Sequence, residues 1–413
     1  MEEWKECKLG ELCNTISDTY KRGAKEVVLI NTSDVLEGKC MNHERVLNEK
    51  LKGQFKKTFQ YNDILYSEIR PANKRFAFVD FDATDYIAST KLMVLRHNDI
   101  IIPQYLFYIL KSQNVIDELQ MLAESRSGTF PQITFSELSN LSVLLPNKDL
   151  QYKIVSILSS LDDKIEVNRR INEQLEELAG ALFKSWFVDF DPFKDGEFVD
   201  SELGMIPKGW KVDYIANIPH VIETGKRPKG GVGNISNGIP SIGAENIKGL
   251  GYYDYSKTKF VTEDFANKMK KGEIKGYELL IYKDGGKPGY FIPNFSIFGE
   301  GFPFERMYLN EHVFKLDFYN RGFNIFSYFY FKTDLVMSYL NAQGGKAAIP
   351  GINQKDVENI PIFTMDNEYV KLFCEKVIPI IEKILFNSKE IHHLTTLRDT
   401  LLPKLMSGEI SVK

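Results

Sequence analysis

Two short stretches place carboxylates beside a lysine in an order used by metal-dependent phosphodiester chemistry: Glu273-Ile274-Lys275 with Asp264 upstream, and Glu3-Trp4-Lys5. In such a centre the carboxylates hold Mg²⁺ and the lysine polarises the attacking water. Patterns this short arise readily where 26% of residues are charged, so a surface charge run is the simpler reading. Phe190-Asp191-Pro192-Phe193 has one proline where the DPPF-type motif of amino-methylating enzymes needs two, and no glycine-rich cofactor loop precedes it. A linker packed by Trp186, Phe187, Phe190 and Phe193 accounts for those residues. GGKPG and GGKAA lack the Gly-x4-Gly-Lys-Ser/Thr order of a phosphate loop. His392 and His393 have no partner ligands nearby in sequence, so solvated or packed imidazoles are expected. No catalytic residue, metal ligand or cofactor is therefore assigned to the chain.

Another chemistry is better supplied. Phosphates are met by cations and backbone amides, and base edges by forked donors such as Arg, Asn and Gln. Three loops carry such groups twice. DTYKRGAK, with Lys21 and Arg22, answers to ETGKRPKGG, with Lys226, Arg227 and Lys229. EIRPANKR, with Arg70, Lys74 and Arg75, answers to YKDGGKPG, with Lys283, Gly285, Gly286 and Lys287. Arg126, Ser127, Gly128 and Thr129 answer to Gln343, Gly344, Gly345 and Lys346. Glycine allows close backbone approach and the adjacent cation supplies charge. Any one loop could be a solvated turn; recurrence at matching places favours a shared role.

The recurrence extends to the elements that must hold these loops. Phe130-Pro131-Gln132-Ile133 lines up with Ile349-Pro350-Gly351-Ile352, and the same offset carries Thr134 to Asn353 and Asn147 to Asp366. Thr134 with Glu137 reads as a capping box, Asn353 as a helix cap, and Asn147 and Asp366 as caps of longer helices. In the first long helix Ile154, Leu161, Asn168, Leu175 and Leu182 fall every seven residues, beside Leu158, Ile165, Asn172, Ala179 and Trp186. The second repeats this with Phe373, Ile380, Asn387, Leu394 and Leu401, beside Val377, Ile384, Ile391, Arg398 and Leu405. These are heptad seams, each with an Asn (Asn168, Asn387) where a buried amide would set register. A helix from 147 to 187 would run roughly 60 Å. The two seams are expected to pair antiparallel, placing globular domains at opposite ends about a pseudo-two-fold axis. Pro379 should interrupt the second helix and kink it.

Looser matches start each copy: WKECKLGEL from Trp4 resembles WKVDYIANI from Trp210, residues 62–80 resemble 277–294, and YIASTKLMVLR resembles MYLNEHVFKLD. Short β-branched and aromatic runs broken by Gly, Pro and Asn predict small mixed domains, and FSYFYF is assigned to packing. The fold class is α/β (α+β), divided as domain 1–146, helix and linker 147–205, domain 206–365 and helix 366–413. At 413 residues the chain is long enough for such an array. The net charge of −4 argues weakly against nucleic acid until it is localised, because residues 151–205 hold 6 Lys+Arg against 12 Asp+Glu. The flanking regions remain free to present basic faces. Four cysteines without a CxxC pair, an acidic start and no long apolar run point to a reducing cytoplasm and no membrane.

The stretches GTFPQITFSELSNLSVLLP, QYKIVSILSSLDDKIEVNRRINEQLEELAGALFKSWFVDFDPF and LRDTLLPKLMSGEI resemble the specificity subunits of type I restriction-modification systems, with likeness along essentially the whole chain. The resemblance implies two target recognition domains, each reading half of a split double-stranded DNA site, with the helices as spacers. It further implies docked methyltransferase subunits and an ATP-driven restriction endonuclease subunit, with S-adenosylmethionine, ATP and Mg²⁺ on those partners. An autonomous DNA methyltransferase or nuclease, or a coiled-coil scaffold without DNA contact, are the competing readings.

Overall fold

The computed structural model describes residues 4–48, 53–125, 131–233, 235–287, 289–345 and 350–412. The chain divides into two compact units: residues 1–164 with 394–413, and residues 165–393. The division falls inside both long helices, because each seam packs with the globular part beside it.

The first unit is built on an antiparallel sheet in the order Cys13–Ile16, Leu92–His97, Ile64–Ser67, Phe76–Phe78. A second sheet runs Val46–Leu47, Glu26–Ile30, Tyr86–Ser89, Phe55–Lys57, with its middle pair parallel. Ile64–Ser67 is buried at every position, as expected of a central strand covered on both faces. Val28, Ile30, Leu65, Ala77, Ala88 and Val94 join the two sheets in one core. Helices α1 (Pro103–Lys111), α2 (Gln113–Glu124) and α3 (Phe135–Ser139) follow. The carboxylate of Glu137 accepts hydrogen bonds from the Thr134 amide (2.7 Å) and hydroxyl (2.9 Å), the reciprocal half of the expected capping box.

The second unit repeats the plan. Its antiparallel sheet runs Val221–Thr224, Val313–Asp317, Leu279–Tyr282, Asn294–Ile297, and its mixed sheet runs Lys259–Val261, Ile239–Ile242, Tyr308–Leu309. The repeat holds at the level of register. Leu92 faces Ser67 and Leu95 faces Ile64 in one unit; Val313 faces Tyr282 and Leu316 faces Leu279 in the other. These are the partners that the matches of 62–80 to 277–294 and of YIASTKLMVLR to MYLNEHVFKLD demand. Cys7 opposite Val143 likewise corresponds to Asp213 opposite Ile362. Helix α5 (Glu263–Lys268) has no helical counterpart among the described residues of the first unit, whereas α6 (Arg321–Phe331), α7 (Asp334–Gly344) and α8 (Gln354–Glu358) match α1 to α3 in order. In α6, Phe326, Tyr328 and Phe331 are fully buried, so FSYFYF is core.

The long helices are α4 (Lys148–Phe187) and α9 (Glu368–Met406). Within the first unit Leu150, Ile154 and Leu158 share a core with Leu402 and Leu405, and Arg398 donates to Asp162 at 2.7 Å. Within the second, Asn168 donates to Glu390 (2.7 Å), Asn387 to Asn172 (2.9 Å), and the rings of Phe183 and Phe373 meet at 5.5 Å. In each unit the contacts climb one helix as they descend the other, so the pairing is antiparallel. Every seam position named from the heptads is buried or half-buried.

Two expectations are corrected. The amide of Asn147 caps α4 through the Leu150 N–H (3.0 Å), but α9 is capped by Asn367, whose Oδ1 accepts from the Tyr369 N–H at 2.8 Å. Asp366 instead accepts from the Thr364 hydroxyl and lies 3.5 Å from Lys211 Nζ. Pro379 does not end α9, which is helical from Glu368 to Met406. The linker packs as expected: Phe190 and Phe193 both meet Trp210 edge-on, at 5.7 and 5.0 Å. In the first unit Gly408 adopts φ +74°, where an added Cβ would lie 2.8 Å from the Trp4 ring, so the end of α9 turns tightly against the amino-terminal strand.

Candidate nucleic-acid interface

The second pair of recurrent loops is placed by identical backbone chemistry in the two units. In the first, Arg70 N donates to Pro131 O (3.1 Å) and Ile133 N to Glu68 O (2.8 Å). In the second, Gly285 N donates to Pro350 O (3.0 Å) and Ile352 N to Lys283 O (2.9 Å). Each cation-bearing loop is thus laced to the proline joint that launches α3 or α8. The preceding residues agree too, since Asn62 and Tyr277 both take φ 70° at the start of the strand that delivers the loop.

Beyond that frame the units differ. In the first, Arg70 and Lys74 bracket a turn with φ 46° and 53°, conformations that cost a non-glycine residue about 1–3 kcal/mol. Arg70 is exposed; Arg75 turns inward, donating to the carbonyls of Ser33 (3.0 Å) and Val35 (3.4 Å). Exposed Lys21 and Arg22 line a cleft of about 580 Å³ with Gln60, Tyr61, Thr84, Arg96, Asp18, Asp82 and Asp85. Arg96 is committed to the buried carboxylate of Asp63 by two bonds of 2.7 Å. The remaining charged groups of this cleft are mixed in sign, with Asp82 accepting from Thr84 and Asp85 from Tyr20. Arg126, Ser127, Gly128 and Thr129 lie outside the described residues.

In the second unit the glycines answer to packing. An added Cβ would lie 2.0 Å from the Tyr282 hydroxyl at Gly285, 2.1 Å from the Tyr290 carbonyl at Gly286 and 2.6 Å from the Phe291 ring at Gly344. Gly345 ends α7 with its N–H on Asn341 O (2.9 Å), and Gln343 is half-buried on that helix. Lys346 lies outside the described residues. Lys287 is exposed on a hairpin opposite Tyr290, but Lys283 is half-buried, 3.3 Å from Asp284 and over the Phe314 ring at 5.3 Å.

Three residues that sequence reasoning missed tie the first and second loops of this unit together. Arg227 Nε lies 2.5 Å from Glu311 Oε1, His312 Nε2 is 3.3 Å from the same oxygen, and His312 Nδ1 is 2.7 Å from Asp284 Oδ2. Asp284, Glu311 and His312 thus link Arg227 to Lys283. Also missed are Lys268, Lys270 and Lys271, which with Lys226 line a cleft of about 640 Å³ beside Gln354. Their signal is a run of four lysines between 268 and 275, which also contains the Glu-Ile-Lys. Glu273 in fact sits at a β-bridge with Tyr308, and its carbonyl accepts from Lys315 at 2.6 Å. Among the described residues no three His, Cys, Asp or Glu side chains gather as a metal would require. No described helix is long and apolar enough to cross a membrane.

Against known proteins, residues 1–177 match the family model described as type I restriction modification DNA specificity domain. The type I restriction enzyme HindI specificity subunit of Haemophilus influenzae is 33% identical, over 99% of this chain and all of that protein. The MjaIX specificity subunit of Methanocaldococcus jannaschii is 30% identical over 76% of this chain and 71% of that one. A solved type I restriction-modification S subunit from M. genitalium shares the fold, with a TM-score of 0.57 at 16% identity, covering 100% of this chain and 97% of its own.

Proposed function

This chain belongs to the specificity subunits of type I restriction enzymes, and from that membership we propose that its two units each read one half of a split duplex site. Recognition of DNA sequence is the function of the family. The observation that carries the two-half reading is the duplication itself: two sheets of the same strand order, with loops laced to equivalent proline joints. The groups proposed to meet DNA are the exposed cations Lys21, Arg22, Arg70, Lys226, Lys229 and Lys287, with Arg227 braced by Glu311. Lys74, Arg75 and Lys283 are better placed to hold their loops in shape.

The chain itself does no bond chemistry in this proposal. Methyltransferase subunits dock on the long helices, where Val167, Leu178, Phe386 and Leu397 are exposed apolar groups. Restriction subunits join through them, and S-adenosylmethionine, ATP and Mg²⁺ act on those partners. The test is a methylome of cells expressing this chain with its cognate methyltransferase. Modified bases should fall in a motif of two fixed halves around an unspecified spacer. A contiguous motif would refute the two-half reading, and purified chain that methylates or cuts DNA alone would refute the non-catalytic one.

A further inference from the structure

The cleft beside Lys226 is built by close backbone approach. An added Cβ at Gly272 would lie 2.5 Å from Gly225 Cα, and Gly272 takes φ +84°. At Gly225 an added Cβ would lie 1.5 Å from the Leu309 carbonyl oxygen. Two segments far apart in sequence are thereby pinned at the residues next to Lys226 and Lys271. Both lysines, with Lys270, are exposed, and none of the three is in an ion pair among the described residues. Lys268 is exposed too, but paired with Asp264 at 2.5 Å.

The single acid lining this cleft offsets them only in part. Glu223 accepts from the Gly272 N–H at 3.0 Å and lies 3.0 Å from Lys315 Nζ, whose side chain is only 8% exposed. Lys315 answers most of the charge of Glu223 from inside the domain and Lys271 adds to it from the rim, so one carboxylate stands against Lys226, Lys270 and Lys271 at the mouth. The first unit's cleft is the opposite case, with Asp18, Asp82 and Asp85 standing against Lys21 and Arg22. Gln354, on the helix launched by the Pro350 joint, also lines the cleft, its Nε2 donating to Glu358 at 2.7 Å.

We propose that Lys226, Lys270 and Lys271 form a phosphodiester-backbone site on the second unit, and that this unit supplies most of the salt-sensitive affinity for duplex DNA. The mixed-sign cleft of the first unit contributes mainly discrimination between bases. The assignment rests on the DNA-reading function proposed above. Backbone contacts of this kind hold a protein on DNA without reading sequence, and each one lost removes about one from the slope of log affinity against log salt.

The experiment measures binding of the full chain to a duplex carrying its methylome-defined site and to an unrelated duplex, across a salt series. The triple variant Lys226→Gln, Lys270→Gln, Lys271→Gln should lower the slope by about two to three for both duplexes, leaving their affinity ratio unchanged. The Lys→Arg triple should keep the wild-type slope, and circular dichroism should show both variants folded. An unaltered slope in the Gln triple, or a loss confined to the specific duplex, overturns the backbone assignment. Wild-type chain that binds neither duplex, alone or with its methyltransferase, overturns the DNA-reading function on which it rests.

Discussion

Asp162 stands where three groups converge: Lys111 donates to it at 2.9 Å, Tyr108 at 2.8 Å and Arg398 at 2.7 Å. Burial pushes this carboxyl up, but Lys111 and Arg398 more than offset that and hold it below the usual carboxylate range. Folding therefore favours the ionised form. The resulting stability is fully present above the unfolded carboxyl's pKa of about 4 and is lost as pH falls through the lower folded value. Asp162→Asn should cost about 2–3 kcal/mol at pH 7, because it leaves two partly buried cations short of a partner. The difference should shrink below about pH 4; urea melts showing a constant difference from pH 7 to 3 would contradict the linkage. Arg398 occupies a seam position, so its heptad place was legible in the sequence. Its partner was not, because Asp162 lies 236 residues away and the pairing depends on which turns of α4 and α9 face each other.

The same distinction governs the elements. The seams, the Thr134 capping box and the cap at Asn147 were readable, since each rests on spacing within one segment. The α9 cap moved from Asp366 to Asn367 because Thr364 and Lys211 claim the aspartate. Asn387 is fully buried with its Nδ2 on Asn172, while its Oδ1 has no partner among the described residues, as befits a register-setting amide bought with stability. The Gly225–Gly272 contact belongs to this scale as well. Gly272→Ala forces a left-handed backbone on alanine and drives its Cβ into Gly225, so unfolding free energy should fall by at least about 1–3 kcal/mol. DNA affinity should fall with it at temperatures where the variant remains folded. Wild-type melting temperature and affinity in that variant would show that the two loops need not touch.

For the whole chain, the duplication predicts that each unit's reading can be changed alone. Replacing residues 210–363 by the matching stretch of a relative should alter one half of the methylated motif and leave the other half and the spacer length as they were. Changes in both halves would show that the units do not read separately. By itself the sequence determined the duplication, the long antiparallel helices and the family, because periodicity, caps and a constant offset are properties of the chain in order. Only the tertiary structure decided which cations face solvent and which are spent on the fold. Arg75 and Lys283 turn to internal partners, whereas Lys270 and Lys271 are carried to Lys226 by a glycine contact between distant segments. Exposure and charge balance depend on strand register and backbone approach, and neither is written in any local pattern.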